Sequence, residues 1–126
     1  MSETRQEENA MLELLRRWAE LEPEQCRAGG VGFWLAFPDT KEPLFYRDGD
    51  TDMLGWMQWI VQRLVERRGW RWNGSWHPKD QNLGIPAHWG FTVVAFDGVA
   101  HVRNSHESAS AALLLAYLDA LEAHNE

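Results

Sequence analysis

Two segments of this 126-residue chain are apolar on both faces of an extended strand. The first is VGFWLAF, residues 31–37: Val31, Phe33, Leu35 and Phe37 point one way, and Gly32, Trp34 and Ala36 the other. The second is FTVVAF, residues 91–96. Successive side chains of a strand alternate between faces, so a segment apolar on both needs cover on both. Such segments belong in the middle of a layered structure, and the rest of the chain has to supply the layers.

The remaining elements follow from periodicity. Met11, Leu14, Leu15, Trp18 and Leu21 recur at helical spacing, after a Thr4/Glu7 capping-box pattern and before Pro23, which stops the helix. Gly29-Gly30 ends that region and Pro38-Asp39-Thr40 is a turn, followed by a short returning strand at Leu44-Phe45-Tyr46. A second helix, capped by Asp50 or Thr51, runs to about Arg68; Met53, Leu54, Met57, Ile60, Val61, Leu64 and Val65 form its apolar face, and Gly69 ends it. Trp56 and Trp59 widen that face beyond the usual stripe. Trp70, Trp72 and Trp76 alternate with polar residues, a strand with one aromatic face in which Gly74 marks a bend. Residues 77–90 read as an irregular loop. Asp97-Gly98 is a hairpin signal linking FTVVAF to a strand over Val99–Arg103, with His101 and Arg103 on its more polar face. An Ala/Leu-rich helix over Ser105–Ala123 closes the chain.

The predicted order is helix, two strands, helix, three strands, helix. The class is α+β: a mostly antiparallel sheet with helices on both faces, an α/β/α sandwich. The chain reads as a single domain over 1–126, with residues 1–28 as an N-terminal helical segment packed on it.

Charge narrows the partners. Twelve Lys+Arg against nineteen Asp+Glu give a net charge of −7, the wrong sign for holding phosphate backbones. The basic cluster Arg63, Arg67, Arg68 and Arg71 is explained by the negative C-terminal end of a helix. No apolar run approaches the roughly 20 residues of a membrane span, and the polar N-terminus is not a signal peptide. The expected location is cytoplasmic. The lone Cys26 excludes an internal disulfide and reads as a small packed residue or a free thiol.

Eight tryptophans are far more than a chain of this length ordinarily carries. Trp18 and Trp34 sit on apolar faces and read as core. The surplus around the second helix and the following strand, Trp56, Trp59, Trp70, Trp72 and Trp76, reads as surface for a protein partner or a second copy. Stacking on bases is the third use of such rings, but it normally comes with a positive groove.

Catalytic signals are sparse, so the reading leans away from an enzyme. There is no Gly-x-Ser-x-Gly elbow and no glycine-rich phosphate loop before a helix. The alternating Asp48, Asp50 and Asp52 fail the calcium-loop pattern, because its glycine and final acid positions fall on Met53 and Trp59. His77, Asp80 and His88 in the 77–90 loop are the one grouping that suits a two-His, one-carboxylate metal site. His101, Arg103 and His106 form a weaker cluster. No cofactor is implied.

The second half resembles the small phage and prophage ABA sandwich domains. The likeness rests on DGDTDMLGWMQWIVQRLVERRGW (Asp48–Trp70), WGFTVVAFDG (Trp89–Gly98) and SHESASAALLLAYLDALEA (Ser105–Ala123). It covers residues 48–123 and is one of order and texture; the 77–90 loop and the N-terminal helix depart from it. The resemblance implies a sandwich architecture and a phage or prophage origin, and carries no active-site residue. The leading expectation is a small accessory protein acting by protein–protein contact. The alternatives are an acidic, immunity-like inhibitor of a basic toxin or nuclease, and a small metal-dependent enzyme using the 77–90 loop.

Overall fold

The computed structural model describes residues 3–30, 32–36, 43–47, 54–105 and 109–124. The Pro38–Thr40 turn, the Asp48, Asp50 and Asp52 run, and His106 lie outside the described residues. The chain is α+β, with antiparallel strands and helices packed against sheet. Its order is α1 (Glu3–Leu21), β1 (Cys26–Gly29), β2 (Gly32–Leu35), β3 (Leu44–Arg47), α2 (Leu54–Arg67), β4 (Arg71–His77), β5 (His88–Val94), β6 (Ala100–Ser105) and α3 (Ala109–His124). The strands divide into two three-stranded sheets, β1-β2-β3 and β4-β5-β6. One strand more is present than the sequence suggests: β1, whose residues CRAG carry no apolar alternation. No helix among the described residues is long and apolar enough to cross a membrane.

Two compact units are present, Met1–Met57 and Gln58–Glu126. In the first, Met11, Leu14, Leu15 and Trp18 are buried, the face that the helical spacing marks. α1 packs on β1, and the Cys26 thiol donates to the Leu15 carbonyl at 3.5 Å. β2 is the central strand of its sheet. Cover on both of its apolar faces, which the sequence predicts, is found among the described residues on one face only. Phe33 and Leu35 are buried with Cys26 and Tyr46 on one face. The other face carries Trp34, which is 38% exposed rather than core. Its ring lies over Gly29 on β1, where a Cβ would come within 2.6 Å of the indole nitrogen.

In the second unit, β5 is again the central strand. Phe91, Val93 and Ala95 are buried, and α3 packs on β5 and β6. Cross-strand register puts Trp72, Gly74 and Trp76 on the same face as Val93, Phe91 and Trp89. It also puts His101 and Arg103 opposite Val93 and Phe91, so the polar residues of β6 turn toward α3 while Val102 is 59% exposed. Arg103 is held there by the Asp119 carboxylate of α3. The face that looks more polar in the sequence is therefore the one next to the helix.

The stops are local. At the end of α2 the Gly69 N–H donates to Glu66 O (3.0 Å) and the Trp70 N–H to Val65 O (3.1 Å), with Gly69 at φ 77°. This is the six-to-one and five-to-two pair of a Schellman stop, and the left-handed conformation is cheap only for glycine. The β5–β6 turn is one residue longer than a two-residue hairpin: Ala95 and Val99 close it, Asp97 Oδ1 accepts the Val99 N–H at 2.9 Å, and Gly98 sits at φ 80°.

Gly74 is fixed by packing. A Cβ there would lie 2.4 Å from the Phe91 ring, which fills the space a side chain would occupy. Gly74→Ala is expected to cost about 1–3 kcal/mol by overpacking. Urea unfolding of the wild type and the variant measures it.

Candidate functional site

The five tryptophans expected at an interface separate into different environments. Trp70 leaves the group: it is 6% exposed, with its ring 6.2 Å from Tyr117 and 5.2 Å from His124, and the Arg68 guanidinium 5.1 Å from its centroid. Its place directly after Gly69, at the turn that ends α2, sets it against the Tyr117 and His124 rings of α3, which cover it. Trp56 and Trp59, three apart on α2, are 55% and 37% exposed, and the Arg63 guanidinium lies 5.6 Å over the Trp59 ring. Trp72 is half-buried and donates its indole N–H to Glu66 at 3.2 Å. Trp76 is 48% exposed and lies 4.8 Å from Trp89, its directly paired residue on β5.

β4 is what these residues share with the backbone. It is an outer strand of its sheet, seven residues long, and Asn73 through His77 are exposed on both of its faces. Natural edge strands are usually short or guarded by lysine, proline or inward charge. Between Trp72 and His77 this one has none of those residues.

The 77–90 loop is more ordered than its composition suggests. Asp80 and Ile85 exchange backbone hydrogen bonds (2.8 and 3.0 Å), which extends the β4–β5 hairpin. His77 and His88 are brought together as the last rung of the ladder, stacked at 4.8 Å with an interplanar angle of 19°. Asp80 does not join them. Its Oδ1 accepts the Asn82 and Leu83 N–H groups at 3.0 and 3.1 Å, an Asx turn that shapes the loop. The imidazoles are engaged with Ser75 Oγ (2.9 Å) and with Pro86 O (3.0 Å). The three residues therefore do not form one ligand set, and among the described residues no three His, Cys, Asp or Glu side chains are grouped to hold a metal. In the weaker cluster, the buried His101 Nε2 has no hydrogen-bond partner among the described residues.

Cys26 is buried and held as the thiol. Burial, and secondly the charge of Glu22 beside it, push its thiol from 9.0 up to about 12. The sequence leaves Cys26 as packed or exposed; it is packed, 1% exposed.

The residues that composition alone passes over are Asn73, Gly74 and Ser75, the polar centre of β4, together with Trp89 and Phe91, which lie across from them. Their signal is in the sequence as the order Trp-Asn-Gly-Ser-Trp, whose outer residues match about the glycine. No family model, curated protein or solved structure matches the chain.

Two outcomes separate these environments. Trp70→Ala is expected to destabilise the protein by about 3–5 kcal/mol, the range for emptying a buried aromatic site. Trp76→Ala should cost roughly a third of that or less; chemical denaturation of both variants compares them. For Cys26, a folded pKa above the unfolded one means that folding retains a proton between the two. Its stabilisation is full below pH 9 and is lost as pH rises toward 12. In the native protein at pH 8 its alkylation by iodoacetamide is expected to run about a thousandfold slower than in the unfolded chain, following the thiolate fraction.

Proposed function

We propose that this chain is a protein–protein interaction module, a small accessory protein of the phage type its second half resembles, that joins to a second copy along β4. The observation that carries the reading is the unguarded outer edge of a strand whose sequence is self-complementary. Two β4 strands paired antiparallel about Gly74 would place Trp72 opposite the partner's Trp76 and Asn73 opposite the partner's Ser75. Both rungs are favourable. Facing aromatic residues and facing hydrogen-bonding residues each stabilise an antiparallel pair by about 0.2–1 kcal/mol over alanine. The new ladder would also satisfy the outward N–H and C=O groups of β4, and a two-fold arrangement closes after two copies and leaves no further edge of that kind.

Wild-type protein is expected to pass from monomer to dimer as concentration rises in sedimentation equilibrium. Trp76→Glu, which removes the indole facing the partner's Trp72 and adds charge on both sides of the Gly74 centre, should raise the dissociation constant about tenfold or more. Its circular dichroism should stay that of the wild type, because Trp76 is half exposed. A wild type that stays monomeric at every accessible concentration overturns self-association. Dimers that Trp76→Glu leaves unchanged place the contact elsewhere and overturn the role of β4.

A further inference from the structure

The cross-strand register of the first sheet fixes what its open face carries. Residues paired across neighbouring strands stand on the same face. Arg27, Trp34 and Phe45 form one rung of that face, and Gly29, Gly32 and Arg47 form the next rung on it. The buried side chains of Cys26, Phe33, Leu35 and Tyr46 are on the other face, where Cys26 meets α1.

The middle of the open face is aromatic. Trp34 and Phe45 lie 4.7 Å apart, tilted by 57°, with Trp34 exposed and Phe45 half-buried. Both rings lean along their strands over the glycines. A Cβ on Gly29 would fall 2.6 Å from Trp34 Nε1, and one on Gly32 would fall 3.0 Å from Phe45 Cζ. The aromatic surface therefore reaches across both rungs. Arg27 stands at one corner of it on β1, and Arg47 at the diagonal corner on β3, both exposed. A strand spacing of about 4.8 Å and a rise of about 3.4 Å per residue put their Cα atoms roughly 12 Å apart, with the rings between them.

The two guanidinium groups thus flank a ring platform and do not gather at one point. Such a face suits a flat ring with a negative charge on each side. A base within a single strand of nucleic acid has a phosphate on either side of it, whereas a free nucleotide has phosphate on one side only. Bases stack on aromatic side chains whatever their identity, and cations beside the rings follow the backbone. The net charge of −7 belongs to the whole chain and not to this sheet. Arg27 and Arg47 are the charged residues of its three strands, and among the described residues neither has an ion-pair or hydrogen-bond partner. At physiological salt, exposed charges more than about 8 Å away are largely screened, while a guanidinium in contact with a phosphate keeps its charge-assisted bond.

We infer that the open face of β1-β2-β3 binds a single strand of nucleic acid, a base stacked on Trp34 and Phe45 and the phosphates on its two sides held by Arg27 and Arg47. The face lies within residues Met1–Met57 and does not use the pairing of β4.

The probe is a fluorescein-labelled oligothymidylate of about eight nucleotides, titrated with the full-length protein and followed by anisotropy. An abasic strand of the same length and thymidine 5′-monophosphate as competitor are the two comparisons. The oligothymidylate is expected to bind saturably, and the abasic strand about tenfold or more weaker. The monophosphate should compete only at concentrations about tenfold or more higher. Two phosphate contacts on a single strand give log affinity a slope of about −1.4 against log salt; Arg27→Ala or Arg47→Ala should each reduce it to about −0.7. Trp34→Ala should weaken binding about tenfold, and Trp34→Phe, which keeps a ring, should retain most of the affinity, with melting temperatures reporting the fold. If Trp34→Ala does not fold, the abasic strand reads the same stacking on the wild type. Arg63→Ala is the control: it removes an equal charge from α2 and should match the wild type in affinity and slope. Absence of saturable binding, an abasic strand or a monophosphate as effective as the oligothymidylate, or an equal loss in Arg63→Ala overturns the inference. Trp76→Glu should bind the strand like the wild type, which separates this result from that of the docking edge.

Discussion

Aromatic rings laid over glycines recur in both sheets, and much of the structure depends on that contact. Trp34 covers Gly29, Phe91 covers Gly74, and the Phe96 ring meets Gly69, where a Cβ would come within 2.7 Å. A ring standing upright on a pleated face needs space above it; a ring lying down needs a residue without a side chain beside it. Glycine weakens a strand by leaving it more freedom to lose and nothing to pack, and a neighbouring aromatic side chain restores the packing. Part of the aromatic surplus is therefore used within the sheets themselves. Those glycines are not interchangeable with alanine, because the space is already occupied.

The same contacts decide which aromatic residues remain at the surface. Trp34 and Phe45 sit 4.7 Å apart on the face of the first sheet opposite Phe33 and Leu35. In the second sheet Phe91 lies over the middle of β4, and the Trp76–Trp89 pair is left two rungs further out with Trp76 half exposed.

Much of this was legible in residue order. The α+β class and the antiparallel pairing follow from the order of helical and alternating segments and from the hairpin signals, whereas the cover on both faces expected of the segment at residues 31–37 is not found on the Trp34 face. The end of α2 follows from Gly69, and the buried face of α1 from the spacing of Met11, Leu14, Leu15 and Trp18. What was not legible lies across strands. β1 has no periodicity to mark it, because Arg27 and Ala28 are exposed beside the buried Cys26. Trp34 reads as core in its own segment, and only the glycine on the neighbouring strand shows why its ring can lie on an open face. Trp70, Trp72 and Trp76 have the same parity, yet the rings of α3 cover the first and the sheet end exposes the last. His77 and His88 are eleven residues apart and meet only because the hairpin register makes them a rung, whereas Asp80 is drawn into its own turn.

The order of the strands within each sheet is the order of the strands along the chain. Every ladder joins consecutive strands, and all three strands of the first sheet precede residue 58. Short loops close at little entropic cost, and folds rich in neighbouring contacts reach their native state quickly. A ribosome releasing this polypeptide would thus have delivered every partner needed by the leading sheet before the trailing one emerged, so hydrogen-bonded structure can accumulate during translation without waiting for the carboxyl end.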